Sequence, residues 1–224
     1  HGVKKMVYLS SIAALGDEKN REVNENSTRE PGESRTAYSI SKWEAEKEVW
    51  RGVAEGLEAV ILNPGIILGE SDLQRSSSRL FAMPERNFPY YTSGVTAWVD
   101  VQDLVRIMQM AMDGVVSGER FIVSAGNYSF KEVMTWMATH MQRKAPHREA
   151  GPWQIAVARL GDRFVSMLKG EAPTLTQESI RIAQTRQLYN NRKWLSTFPD
   201  FQYSPLEQSL ARIIAWQRAQ GLFV

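Results

Sequence analysis

Glu58-Ala59-Val60-Ile61-Leu62-Asn63 is a short apolar run with two β-branched members. Gly56 precedes it and Pro64-Gly65 closes it. A run of this length between turn residues reads as a buried strand. Upstream, residues 36–54 place Ala37, Ile40, Ala45, Val49 and Val53 close to one helical stripe, with Gly56 as the stop. Residues 17–35 are polar, contain Pro31-Gly32 and read as a loop. Before them, Lys5-Met6-Val7-Tyr8-Leu9-Ser10 is a second apolar run. The order strand, loop, helix, strand implies a right-handed βαβ crossover in a parallel sheet, hence an α/β fold.

Downstream, Ile66-Ile67-Leu68-Gly69 follows the turn, and residues 70–90 look irregular, with Ser76-Ser77-Ser78, Pro84 and Pro89. A short strand is expected at 96–99, and Asp100 is placed to cap a helix over 101–113. Residues 120–124 form a third buried strand, and Ser129 caps a helix running to about residue 142. Beyond Gly151 the pattern is helical. Trp153, Val157, Leu160, Phe164 and Leu168 are spaced as a stripe over 153–168, and another helix is expected at 177–187. Ser204-Pro205-Leu206-Glu207 combines an N-cap, a proline at the first helical position and a capping-box glutamate. Leu206, Leu210, Ile213 and Ile214 then line the last helix, which Gly221 ends. Trp136, Trp153, Trp194 and Trp216 are expected to pack the core or an interface, and Met108, Met110 and Met112 to be ordinary helix positions.

The chain has 224 residues, a formal charge of +2, 43% hydrophobic and 23% charged residues. That suits one generous domain, or one with an appendage, and is far from a disordered composition. No apolar run approaches the ~18 residues of a membrane span. With no cysteine, disulfides, iron–sulfur clusters and cysteine zinc sites are excluded. Three scattered histidines (His1, His140, His147) do not suggest a metal site or a hydrolase triad. Acidic residues exceed basic ones up to residue 100, and basic ones exceed acidic ones afterwards. The excess is too mild for the dense basic stripe of a nucleic-acid binder. No secretory signal is visible, and a chain starting His1-Gly2-Val3 and entering a strand almost at once is expected to lack a beginning.

Tyr38 and Lys42 stand four apart, on one face of the 36–54 helix. A free phenol titrates near 10, and a cation held beside a phenol favours the phenolate. Such a pair exchanges a proton with an alcohol or carbonyl oxygen. The spacing alone is weak. Seven tyrosines and nine lysines give about 0.3 chance occurrences, and a second copy exists at Tyr189/Lys193. That copy reads as a helix end followed by a loop. What distinguishes Tyr38/Lys42 is order: one strand ends upstream at Ser10-Ser11 and another downstream at Asn63-Pro64-Gly65. Parallel α/β sheets gather function at the carboxyl ends of their strands.

Four stretches together resemble the extended short-chain dehydrogenase/reductase family, the nicotinamide-dependent epimerases, dehydratases and reductases. They are Val7–Gly16, Tyr38-x-x-x-Lys42, Asn63–Gly69 and Trp98–Val105. The resemblance follows the whole chain in order and is strongest over 3–124. It implies the C-terminal part of a Rossmann-like parallel sheet over residues 1–69, partly rejoined by strands near 96–124, and a mainly helical substrate-binding segment over 70–224. It implies Tyr38 as general acid/base, Lys42 as its activator and a donor to the nicotinamide ribose, and Ser11, rather than Ser10, as the hydroxyl that orients the reacting oxygen. Pro64, Gly65 and Ile66 match the loop against the nicotinamide, and Asp100 and Asp103 a structural motif. Asn63 is read either as part of the site or as a satisfied strand end. NAD or NADP is the implied cofactor and a small molecule the substrate. Neither metal, nucleic acid nor membrane is implied; a cytoplasmic location and a homodimer through helix 36–54 are expected.

One departure bears on activity. The family opens with a strand and a Gly-x-x-Gly-x-x-Gly turn that holds the pyrophosphate, and no such run occurs here. About a hundred residues, three βαβ units, are expected ahead of strand 5–10. The isolated chain is therefore expected to be an inactive fragment with an exposed strand edge. Tyr189-Asn190 and Pro205-Leu206-Glu207-Gln208 resemble the dihydroflavonol-reductase-like carbonyl reductases, which makes a carbonyl/alcohol oxidoreductase the first expectation. A nucleotide-sugar epimerase or dehydratase is the alternative. Arg75, Arg79 and Arg86 bear on it, since arginine pairs phosphate or carboxylate, although a solvated surface is the plainer reading. A non-catalytic cofactor sensor, interaction protein or scaffold on the same fold is the alternative from another class.

Overall fold

The computed structural model describes residues 2–17, 22–28, 36–72, 76–169 and 176–223. Its strands are β1 (Lys5–Leu9), β2 (Glu58–Pro64), β3 (Ile66–Leu68), β4 (Tyr90–Tyr91), β5 (Val95–Asp100), β6 (Glu119–Val123), β7 (Gly126–Ser129) and β8 (Arg148–Glu149). Its helices are α1 (Ala37–Ala54), α2 (Ala82–Glu85), α3 (Val101–Asp113), α4 (Phe130–Met141), α5 (Pro152–Lys169), α6 (Gln177–Gln184), α7 (Arg192–Thr197) and α8 (Leu206–Ala219). Short 3-10 turns cover Ile12–Ala14 and Ser76–Phe81.

The central strand of the main sheet is β2, parallel to β1 on one side and to β6 on the other. Its side chains alternate between two layers. Ala59 and Ile61 pack with Val49 of α1, whereas Val60 and Leu62 pack with Leu104 and Ile107 of α3. The result is a helix–sheet–helix sandwich, and it explains why the run is apolar throughout. The α3 side is thickened by Phe121 against Trp194, edge to face at 5.3 Å between centroids.

A second sheet has the order β3-β5-β7. Here β3 runs parallel to β5, and β7 antiparallel to it. Gly65 is the single residue between β2 and β3. A Cβ there would collide with the Ala97 carbonyl, so only glycine lets the chain cross from one sheet to the other at this depth. A third core, including Trp98, Phe130, Met137, Leu206 and Leu210, lies where α4 and α8 meet. Backbone bonds tie the segment after α6 to two distant places. Val95 and Thr185, and Gln187 and Val95, are joined, as are Val23 and Leu188, and Asn190 and Val23.

Several expectations need correction. Strands β3, β7 and the β4–β8 ladder, and helices α2 and α7, have no counterpart in the sequence reading. Tyr189 lies in an extended bridge with Val23, and Lys193 is the second residue of α7. The second Tyr-x-x-x-Lys is thus a strand-like segment running into a helix, the reverse of a helix running into a loop. In α1, Ala37 and Ile40 are exposed while Ser39 and Glu46 are buried beside Val49. The buried side of this helix is set by the polar contacts of Glu46, described below, together with Val49 and the partly covered Trp50 and Val53. At α8 no capping box forms, and the N-cap is Pro205 without a side-chain bond. The Ser204 amide and hydroxyl donate instead to Asp103, at 2.7 and 3.0 Å. Trp153 is exposed on α5 and packs no core, whereas Trp194 is fully buried and Trp136 packs edge to face on Tyr128.

Candidate active site

Because β1, β2 and β6 are parallel, their carboxyl ends share one edge of the sheet, at Leu9-Ser10, Asn63-Pro64 and Val123-Ser124. Two local structures rise from that edge. After β1, Ser11 turns the chain into the 3-10 turn, its hydroxyl accepting from the Ala13 amide at 3.2 Å. At α1, the Thr36 hydroxyl accepts from the Ser39 amide at 3.2 Å and starts the helix. Helix α1 packs against the 3-10 turn, which brings the Ser11 turn and the Tyr38-bearing helix together.

Tyr38 lies in the first turn of α1 and is 48% exposed, open to an incoming molecule. One turn later the Lys42 ammonium reaches back to the end of β1 and donates to the Leu9 carbonyl at 3.2 Å. That uses one of its three N–H donors. The same ammonium lies 5.8 Å from the centroid of the Tyr8 ring. Burial, then Glu46, then Tyr38 push the Tyr8 phenol above its ordinary value, so it stays neutral.

Of the two serines, Ser10 is buried and Ser11 half-buried. The Ser11 oxygen accepts within its own turn, which leaves the O–H to donate outward. Asn63 ties the β2 end to this turn. Its amide donates to the Ser11 carbonyl at 2.9 Å and to Glu46 at 2.6 Å. Glu46 also takes Arg120 at 3.2 Å. Arg120 donates to the Glu25 carbonyl at 2.7 Å, and the Glu25 carboxylate accepts from the Ile122 amide at 2.9 Å. A buried polar web thus holds the site from below.

The sequence reading missed Glu46, Arg120, Glu25 and Tyr8. The signal for Glu46 was present: Tyr38, Lys42 and Glu46 are spaced by four and line one face of a helix. Arg120 and Glu25 offered none, because their roles arise only when β6 lies beside β2.

The loop expected against the nicotinamide is very short. Pro64 ends β2, Gly65 donates to the Val123 carbonyl at 3.1 Å, and Ile66 begins β3. Backbone of β5 fills the space beside Gly65. Asp100 caps α3 through the Gln102 amide at 2.9 Å and takes both of its Arg212 contacts, at 2.8 and 2.6 Å. Arg212 also pairs with Glu70. Asp103 takes Arg106 at 3.0 Å as well as Ser204. Both aspartates fasten α8 and the chain before it to the α3 end. Arg79 is half-buried in the 76–81 turn, Arg86 is exposed at the end of α2, and Arg75 lies outside the described residues. Among the described residues no group of three or more His, Cys, Asp or Glu could hold a metal ion.

The model of the NAD dependent epimerase/dehydratase family matches residues 1–124, more than half of the chain. The chain belongs to that family. A Synechocystis sp. protein provisionally named dihydroflavonol 4-reductase is 23% identical over 98% of this chain and 66% of its own length. Among solved structures, a nucleoside-diphosphate-sugar epimerase from Pseudomonas aeruginosa superposes with a TM-score of 0.77 at 21% identity, over 97% of this chain and 68% of that one. A dTDP-glucose 4,6-dehydratase from Bacillus anthracis, solved in complex with NAD, gives 0.69 at 15% identity, over 97% and 64%. The chain spans about two thirds of the length of these family relatives. At such identities the superpositions establish the fold, an α/β sheet of the Rossmann type, and the family is NAD-dependent.

Proposed function

We propose that the protein containing this chain is an NAD(P)-dependent oxidoreductase acting on a carbonyl or alcohol carbon of a small molecule. The observation that carries this reading is the Lys42 bond to the Leu9 carbonyl. It fixes the ammonium at the carboxyl edge of the sheet, one helical turn from the half-exposed Tyr38. The donors present suit a nicotinamide nucleotide: Lys42 keeps N–H groups for ribose hydroxyls, and Tyr38 and Ser11 offer hydroxyls to a substrate oxygen. Residues 1–69 with β6 are read as the cofactor side, and 70–224 as the substrate side.

The nicotinamide supplies or accepts the hydride. In the reducing direction the hydride would form a new C–H bond as the C=O π bond breaks, and Tyr38 would give its phenolic proton to the oxygen, forming O–H and leaving a phenolate. In the oxidising direction Tyr38 takes the alcohol proton back. Ser11 donates its O–H to the same oxygen and holds it between the turn and α1. Lys42 orients the ribose and favours the charged form that Tyr38 passes through. The cation–oxygen geometry comes from β1, since Leu9 anchors the ammonium.

The test uses the natural full-length protein, a panel of carbonyl compounds and nicotinamide absorbance. Tyr38→Phe is expected to lower kcat by about 10²–10⁴ with cofactor binding kept, and Lys42→Ala to weaken cofactor binding as well. Unchanged turnover in Tyr38→Phe removes the assignment. An isomerised product with no net change in nicotinamide absorbance replaces reduction by epimerisation.

A further inference from the structure

Helix α5 turns an apolar face to water. Trp153, Val157 and Leu160 are 68%, 60% and 71% exposed. Their spacing of four and three puts them on one side of the helix. Ile155, from the other side, lines a cleft with Thr92, Ser93 and Gln184. The first turn of the helix therefore borders the body of the protein through Ile155, while its tryptophan side faces outward. A surface helix ordinarily does the opposite. The sequence continues the same spacing at Phe164 and Leu168. An ordered row of large apolar side chains is the mark of an interaction site, not of scattered surface exposure.

The charge around this row selects the partner. Immediately ahead of α5, Lys144, His147 and Arg148 are exposed, beside one exposed acid, Glu149. The helix itself carries Arg159, Arg163 and Lys169 against the single acid Asp162. Two copies pairing through α5 would bring these like charges together, whereas an anionic surface attracts them. Apolar residues with a tryptophan on one side and basic residues in the same segment suit a helix lying in a lipid–water interface. Among the described residues no helix is long and apolar enough to cross a membrane.

We propose that α5 docks flat on an anionic lipid surface. Trp153, Val157 and Leu160 enter the boundary between head groups and acyl chains, and Lys144 and Arg148 meet the lipid phosphates. This departs from the sequence expectation of no membrane partner. It stands apart from the catalytic reading, because none of these residues belongs to the Ser11–Tyr38–Lys42 group.

The test is flotation of the full-length protein with vesicles of phosphatidylcholine alone and of phosphatidylcholine mixed with phosphatidylglycerol, at low and high salt. Binding is expected to the mixed vesicles only, and weaker at high salt. Leu160→Glu should lower partitioning by about tenfold or more, since a buried leucine is replaced by a charge. Arg148→Ser should lower it by about fivefold. Trp153→Phe should remove a blue shift of fluorescence seen on binding. These side chains face solvent, so melting curves of the variants should match the parent and separate lost docking from lost folding. No flotation, equal flotation with both vesicles, or flotation unaffected by Leu160→Glu overturns the proposal. A concentration-dependent dimer that Leu160→Glu dissolves, without flotation, overturns it in favour of a second copy.

Discussion

Glu46 is a carboxylate with 2% of its side chain exposed, held by Asn63 and by an Arg120 that is itself mostly covered. A pair at this depth adds little net stability while intact, but removing one partner strands the other charge. Arg120→Met is therefore expected to cost about 3–5 kcal/mol, read from urea unfolding. Adding Glu46→Gln to that variant should restore part of the loss, because the amide oxygen still accepts from Asn63 and no charge is left behind. If Arg120→Met unfolds like the parent, the web is not holding the site. Tyr38 and Lys42 were legible because their spacing lies within one helix. Glu46 shares that spacing, but a charged residue on a helix is ordinarily solvated, and its partner Arg120 lies on a strand 74 positions away.

At the scale of elements, the same four-residue pattern behaves in two ways. Ser129-Phe130-Lys131-Glu132 forms a full capping box at the start of α4, with the Ser129 hydroxyl taking the Glu132 amide at 3.2 Å and Glu132 taking the Ser129 amide at 2.8 Å. Ser204-Pro205-Leu206-Glu207 forms none: the helix starts one residue later, with Pro205 as N-cap, and the Ser204 amide that a capping-box glutamate would take is given to Asp103. Both candidate acceptors of that amide are carboxylates, and Asp103 is invisible to a local reading of residues 204–207. Ser129→Ala is expected to cost about 1 kcal/mol. The two Ser129 hydrogen bonds hold the Glu132 carboxyl below its usual range. Its stabilisation is thus complete above the ordinary glutamate value and is lost as pH falls through the lowered one. The gap in urea midpoint between the parent and Glu132→Gln should be present at neutral pH and should close in acid. A gap that widens in acid would contradict the bond pattern. Long elements with their own caps were legible, as α1, α3 and α4 show. The strands β3 and β7 span only three and four residues, and they become strands only because β5 lies between them.

For the molecule as a whole, the junction of two sheets rests on one residue without a side chain. Gly65→Ala would press a methyl into the Ala97 backbone. Relief requires β2 and β5 to move apart, at a cost of about 1–3 kcal/mol. A thermal melt of that variant checks it, and an unchanged melting temperature would mean that the junction yields freely. Deletions that touch Arg212 should be worse tolerated than ones beyond the end of α8, since Arg212 is what pairs the buried Asp100 with the last helix. The parallel order of the main sheet was legible from the apolar runs alone, while the outward face of α5 was not, because periodicity says which residues share a side and never which side meets water. The segment after α6 has a temporal consequence as well. Residues 185–190 are bonded both to Val95 and to Val23, so neither place is complete until residue 190 has been made. At ordinary speeds of translation, residue 190 follows residue 23 by roughly ten to thirty seconds. Through that interval the ribosome carries a sheet whose last stitches are still being synthesised, and a holding chaperone would find its substrate there.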